Sequence, residues 1–289
     1  MPYPSTASFT LNLHGRLLSL AVPQVMGIVN CTPDSFYADS RTTTEAAIVR
    51  RALLMVAEGA AILDVGACST RPDSRPVDEH EEMERLRRAL PLLQQACPTL
   101  PLSVDTYRPD VARMCVEEYG VAMVNDVGQP ASHRERTDKE REAMWRMVAH
   151  LRVPYVLTSS ADSIDTMLGN MAQHVAELHA LGVADVVADP GFGFGKTLEQ
   201  NYDVLHRLDE LHLLRVPLLV GLSRKSMFTR LLGIDAADAL NATTVAHTIA
   251  LTKGVHLLRT HDVKAAVEAV KIVNAYTQQS KAANSNSSK

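Results

Sequence analysis

Eight short aliphatic runs, each followed by a longer stretch of helical periodicity, dominate this chain of 289 residues. The runs are Val25–Val29, Ala61–Val65, Leu102–Val104, Ala122–Val124, Tyr155–Leu157, Val186–Ala188, Leu218–Val220 and His256–Leu258. Continuous apolar runs of this length suit parallel strands buried on both faces. The helix-period stretches are Thr44–Glu58, Glu79–Ala96, Pro109–Tyr119, Thr137–His150, Asn170–Leu181, Leu198–Leu213, Ala237–Lys253 and Val263–Gln278. Gly59, Gly120, Gly182 and Gly254 fall just past four of them, where a left-handed C-cap favours glycine. Eight β-then-α units predict an α/β fold, a (β/α)8 TIM barrel over residues 22–277, with a doubly wound open sheet as the alternative. Residues 1–21 read as a short N-terminal β-hairpin turning at His14-Gly15 and covering the barrel bottom. Residues 278–289 lack a core face and are expected to be a disordered tail.

Composition removes several function classes. Lys plus Arg is 29 and Asp plus Glu is 33, so the net charge is −4. That balance gives no footprint for nucleic acid or an anionic membrane. No apolar run reaches the ~20 residues a bilayer span needs. The stretch Leu17–Val29 comes nearest, but Pro23 and Gln24 interrupt it, and it reads as two strands joined by a turn. Cys31, Cys68, Cys97 and Cys115 form no C-x-x-C pair, which argues against a zinc ribbon or a disulfide framework. The chain reads as reduced and cytoplasmic.

In such barrels reactive groups sit at the C-terminal ends of the strands. Here those ends carry Asn30 with Thr32-Pro-Asp-Ser-Phe36, Gly66 with Ser69-Thr-Arg-Pro72, Asp105-Thr106 and Asn125-Asp126. Further on come Asp189 with Gly191–Thr197, then Ser223-Arg-Lys-Ser226, then Arg259-Thr-His-Asp262. Singly, each is more ordinarily a helix cap or a turn residue, and Asp110 and Asp262 are read as caps. His174 and His179 are read as surface residues. Gly191–Thr197 has neither P-loop nor G-x-G-x-x-G spacing, and His80-Glu81-Glu82 lacks the second His of a zinc helix.

The set as a whole suggests one site. Arg71, Lys225, Arg259 and His261 are four donors for one anion, and three are read as permanent cations, which points to phosphate or pyrophosphate. Asp105, Asn125 and Asp189 would form an acidic floor that needs donors, such as the amino and ring N–H groups of a flat heterocycle. Phe36, Phe194 and Pro72 are placed to sandwich an aromatic co-substrate.

Asn30-Cys-Thr-Pro-Asp-Ser-Phe36, Ser69-Thr-Arg-Pro72, Ser103-Val-Asp-Thr106, Asn125-Asp126, Asp189–Thr197, Ser223–Ser226 and Arg259–Asp262 resemble, in order, the signatures of the dihydropteroate synthases, over about residues 22–275. That family condenses 6-hydroxymethyl-7,8-dihydropterin diphosphate with 4-aminobenzoate to 7,8-dihydropteroate and pyrophosphate, in folate biosynthesis. The resemblance implies that Asp105, Asn125, Asp189 and Lys225 hold the pterin. Asn30, Thr70, Arg71, Arg259 and His261 would hold the diphosphate, with Mg2+ beside Asn30. Phe36, Thr70, Pro72, Phe194, Lys225 and Ser226 would shape the aminobenzoate pocket, which a sulfonamide would mimic. Asp34, Thr70 and Arg71 would join Asp105, Asp189 and Lys225 as catalytic residues, in a homodimer. The chain departs from the family at Cys68, where an acidic residue is usual. Thr158-Ser159-Ser160 replaces a usual Met-His, and Tyr37–Arg41 lacks paired glycines. The alternative is a pterin-binding methyltransferase acting on methyltetrahydrofolate, which has no need of Ser223–Ser226.

Overall fold

The computed structural model describes residues 8–31, 45–68, 77–128 and 136–287, with side chains as far as residue 279. Two strands come first, β1 (Thr10–Leu13) and β2 (Arg16–Ser19), paired antiparallel with Leu13 opposite Arg16. His14 and Gly15 have φ of 55° and 88°, the two left-handed residues that a tight hairpin of this hand requires. The turn falls at the predicted dipeptide.

Strands and helices then alternate: β3 (Gln24–Asn30), α1 (Glu45–Glu58), β4 (Ile62–Gly66), α2 (Glu79–Ala96), β5 (Leu102–Asp105), α3 (Pro109–Tyr119), β6 (Met123–Asp126) and α4 (Asp138–Leu151). They continue through β7 (Tyr155–Thr158), α5 (Ile164–Ala180), β8 (Val186–Asp189), α6 (Leu198–His206), β9 (Leu219–Val220), α7 (Ser226–Leu232), α8 (Leu240–Thr252), β10 (Leu257–Thr260) and α9 (Val263–Ser287). The parallel strands are hydrogen-bonded in the order β8-β7-β6-β5-β4-β3-β10-β9. Ala188 on β8 bridges to Leu218, and its N–H donates to Pro217 O at 2.9 Å. That contact joins the two ends of the sheet, so the architecture is the barrel and not the open sheet.

Local chemistry sets the helix boundaries. Thr137 and Glu140 close a capping box on α4, and Thr197 and Gln200 close another on α6. The four predicted C-cap glycines all have positive φ, between 59° and 100°. Four boundaries differ from the sequence expectation. Helix α5 starts at Ile164, capped by Ser163, six residues before Asn170; Gly169 lies inside the helix with open space around it. The stretch Leu198–Leu213 divides into α6 and a 3-10 turn over Leu208–Leu214. Helix α7 comes directly after the Ser223–Ser226 motif, where no helix was expected. Helix α9 continues to Ser287, past the Gln278 at which a loose tail was expected; no Gly or Pro intervenes to stop it.

Two cores hold the molecule. The larger lies between strands and helices, around Leu63, Leu86, Leu90, Leu93, Val124 and Leu258. The smaller fills the barrel: Met26, Ile62, Val156, Val187, Leu219 and Leu257 pack with Leu11, Leu13 and Leu20 of the hairpin. The hairpin therefore plugs the bottom, as predicted, and Asn12 N–H donates to Asp185 Oδ2 at 2.9 Å on the way in. Phe9 adds an edge contact to buried His256, with ring centroids 5.0 Å apart. Leu11 is fully buried, so Leu11→Ala should cost about 2–5 kcal/mol in urea unfolding while leaving turnover within twofold. A loss of turnover at unchanged stability would show that the hairpin acts on the far end of the barrel.

Candidate active site

Strand ends place the polar groups. Each strand here runs past its last aliphatic residue, so that Asn30, Asp105, Asp126 and Asp189 are the final residues of β3, β5, β6 and β8. Register lines up Asn30, Gly66, Asp105 and Asn125 across four adjacent strands. Neighbours in register on parallel strands point to the same face. Gly66 is the one member of the row without a side chain. A Cβ there would lie 3.6 Å from Asp105 Oδ2 and 3.7 Å from Asn30 Oδ1.

The centre of the mouth is Arg259, on β10. Its Nε donates to Asp64 Oδ2 at 2.6 Å, and a terminal nitrogen donates to Asp105 Oδ2 at 2.5 Å. Asn125 Nδ2 donates to the same Asp64 oxygen at 2.8 Å. Burial works against the Arg259 charge, but Asp64 and Asp105 together hold the guanidinium firmly protonated. Burial pushes the Asp105 carboxyl up, against the pull of Arg259, and Asp64 adds to the rise. Asp64 Oδ1 and Asn125 Oδ1 are buried and have no hydrogen-bond partner among the described residues. Two buried acceptors thus lack a donor among the described residues.

Asp64 is absent from the set expected from sequence. It sits inside the run Ile62-Leu-Asp-Val-Gly66, not after it. The signal was a carboxylate flanked by Leu63 and Val65 in a strand buried on both faces.

Asp189 accepts Gly191 N–H at 2.8 Å. Burial pushes its carboxyl up, and that N–H with the Lys225 and Arg259 cations draws it back. Burial pushes Lys225 down to about 8, with Asp189 opposing. Burial thus weakens the Lys225 charge, and Asp189 helps to keep it. Its Nζ lies 4.5 Å from the centroid of the Phe194 ring, a cation–π contact.

Ser226 opens α7 and is exposed. His261 comes just after β10; its N–H donates to Ser223 Oγ at 3.2 Å and its carbonyl accepts from Arg51. Asp262 is more than a cap: its two oxygens take Nε and a terminal nitrogen of Arg224 at 2.9 and 3.0 Å, cross-linking the motifs that carry Lys225 and His261. Asp110 is a first-turn acid of α3 paired with Arg113, with Arg108 at the cap position. Asp126 is used internally, by Tyr155 Oη at 2.7 Å and Arg136 at 2.5 Å. His174 packs its edge on Trp145, and His179 is exposed. Asp34, Phe36, Thr70, Arg71 and Pro72 lie outside the described residues. Burial pushes the Cys31 and Cys68 thiols up to about 12, which disfavours the thiolate.

The Mg2+ that the resemblance implies has a thin protein donor set. Among the described residues no group of three His, Cys, Asp or Glu could hold a metal. Asn30 Oδ1 is a single neutral oxygen beside the row. That suits a Mg2+ that keeps its waters and binds mainly through substrate phosphates.

The chain matches a family model described as pterin binding enzyme over residues 26–261. It is 34% identical to the dihydropteroate synthase of Escherichia coli strain K12, covering 90% of this chain and 94% of that protein. The Yersinia pestis dihydropteroate synthase, solved with a sulfonamide drug, superposes with a TM-score of 0.83 at 33% identity, covering 93% of this chain and all of that one. The Thermus thermophilus enzyme, solved with 4-aminobenzoate, superposes with a TM-score of 0.78 at 36% identity over 92% and 99% of the two chains. The same protein has been solved with 6HMPPP.

Removing the Asp64 carboxylate would leave Arg259 and Asn125 short of an acceptor in a buried place. Asp64→Ala should destabilise the fold by about 3 kcal/mol, read by chemical denaturation. A cost below about 1 kcal/mol would mean the Arg259 charge is supported elsewhere.

Proposed function

The chain belongs to the pterin-binding enzyme family and acts as a dihydropteroate synthase, and we propose how its barrel mouth divides that reaction. The reaction breaks the C–O bond between the pterin methylene and its diphosphate. It forms a C–N bond to the amine of 4-aminobenzoate, which loses a proton as pyrophosphate leaves.

The observation that carries the assignment of roles is a pair of buried acceptors, Asp64 Oδ1 and Asn125 Oδ1, that have no donor among the described residues. A pterin ring brings amino and ring N–H donors to such a floor. Asp105, Asn125 and Asp189 would hold the ring, with Lys225 over its edge. As the C–O bond breaks, positive charge builds on the methylene and ring and negative charge on the diphosphate. Asp105 and Asp189 oppose the first; Arg259 and His261 take the second, with Asn30 among the diphosphate ligands. Bound there through Asn30, Mg2+ would supply charge neutralisation for the leaving diphosphate. Phe194, Lys225 and Ser226 would receive the aminobenzoate, and a sulfonamide would compete for the same place. The roles of Asp34, Phe36, Thr70, Arg71 and Pro72 are carried over from the family pattern.

Two settings accompany this reading. Among the described residues the four cysteines are unpaired and no helix is long and apolar enough to cross a membrane, which supports a cytoplasmic location. Val245 and Ile249 on α8, and Ile272 on α9, expose apolar surface on neighbouring helices, which supports a homodimer through that face. Val245→Asp with Ile249→Asp should halve the mass measured by sedimentation; an unchanged mass would place any interface elsewhere.

The reaction is tested by mixing the protein with the pterin diphosphate, 4-aminobenzoate and Mg2+ and measuring pyrophosphate. Release should depend on aminobenzoate, and its absence would remove the assignment. Asp105→Asn should lower turnover more than tenfold with an unchanged circular dichroism spectrum, whereas near-normal turnover would remove the electrostatic role of Asp105.

A further inference from the structure

The glycine-rich segment after β8 is folded around two buried side chains that the reaction does not use. Lys196 is 7% exposed, and its ammonium donates to Gly191 O at 3.0 Å, Phe194 O at 3.4 Å and Ser159 O at 3.5 Å. No carboxylate among the described residues forms an ion pair with it; Asp189 and Asp162 support its charge from further away. Asn201, on α6 and 3% exposed, works from the other side. Its Oδ1 accepts Gly193 N–H at 2.8 Å, and its Nδ2 donates to Thr197 O at 2.6 Å and Lys196 O at 3.3 Å. The two side chains thus tie both strands of a small loop that displays Phe194 at its tip.

The loop is seated on a neighbour. Ser159 N–H donates to Asp189 O at 2.9 Å, and Lys196 returns a hydrogen bond to Ser159 O. Gly191 has φ of +66°, and a Cβ there would stand 2.1 Å from that same Ser159 oxygen. Nothing but hydrogen fits between the loop and the tail of β7. Ser159 belongs to the Thr158-Ser159-Ser160 stretch that departs from the family pattern. It meets the loop through its backbone carbonyl, so the substituted side chains leave the contact intact.

We propose that Lys196 and Asn201 are positioning residues for the aryl-amine half of the reaction: they clamp the glycine loop to the end of β7 and so hold the Phe194 ring across Lys225. The inference rests on the reading of Phe194 as a wall of the aminobenzoate site. The pterin floor rests on β5 and β6, and its one member next to the loop, Asp189, is fixed within β8 before the loop begins, so a loosened loop tip should be felt far more by the aminobenzoate than by the pterin. A merely structural lysine would not make that distinction.

The test is a steady-state analysis of wild type, Lys196→Met, Lys196→Arg and Asn201→Ser, with each substrate varied at saturation of the other. KM for 4-aminobenzoate should rise tenfold or more in Lys196→Met and in Asn201→Ser, while KM for the pterin diphosphate moves less than twofold. Lys196→Arg, which keeps a cation with several donors, should recover most of the loss. If Lys196→Met does not fold by circular dichroism, Asn201→Ser decides alone. Equal changes in both KM values, or an aminobenzoate KM within twofold of wild type, would overturn the clamp. Wild type that releases no pyrophosphate on adding aminobenzoate would instead overturn the reaction, and the clamp with it.

Discussion

A guanidinium shared by two carboxylates inside a barrel mouth is the constraint around which the site is arranged. Moving an ion out of water costs several kcal/mol even after relaxation, and a buried pair recovers this only with good geometry and further hydrogen bonds. Arg259 meets that condition through Nε to Asp64 and a terminal nitrogen to Asp105, while Asn125 takes up more of Asp64. Asp64 is in the middle of β4, Asp105 at the end of β5, Asn125 on β6 and Arg259 on β10. Four strands therefore have to be in register for one charge to be tolerated.

Around the mouth, polar clips tie the loops to one another. Arg224 has φ of +51°, a backbone conformation uncommon for a residue with a Cβ. The strain is held by bonds on every side: Asp262 takes two nitrogens, the Ala236 and Ala237 carbonyls accept from a third, and Thr243 Oγ accepts the backbone N–H. Lys225 and His261 are the next residues along from the two ends of that ion pair, so their spacing is set by it. Arg108 does comparable work beside β4. It pairs with fully buried Glu82, donates to Val77 O at 2.7 Å and reaches Cys68 Sγ at 3.5 Å. Where the family pattern has an acid at position 68, the carboxylate facing this arginine comes from α2.

Much of this was legible in the chain. The period of the apolar runs yields the strands, and the rule that barrel chemistry sits at strand ends brings together Asp105, Asn125, Asp189, Lys225 and Arg259. The residues that stayed hidden share a cause. Asp64 lies within an apolar run, so attention to the residues after each run passes over it. Asn201 looks like one more polar residue on an amphipathic helix, and Lys196 like the end of a failed nucleotide motif. Asp262 satisfies the pattern of a helix cap, and only the fold reveals Arg224 beside it. In each case the residue's meaning is a contact between segments far apart in sequence, which local periodicity does not encode. Helix α7 was missed for a different reason, since seven residues are too few to show a period.

The electrostatics of the mouth bear on how it would discriminate. Burial pushes the Asp105 and Asp189 carboxyls up and Lys225 down to about 8, so each of these groups is driven towards its neutral form. A ligand that brings N–H donors to the carboxylates and anionic oxygens to the cations relieves both tendencies at once. One that brings only a ring, or only a diphosphate, relieves half. The net charge of −4 conceals this division, because the acids are on the floor and Lys225 and His261 lie on loops above it. Burial also pushes the Cys31 and Cys68 thiols up, away from the thiolate. Under the proposed division of roles, desolvation would favour a diphosphate-bearing heterocycle: buried groups are costly to leave unpaired, and a ligand carrying both halves would pair both sets.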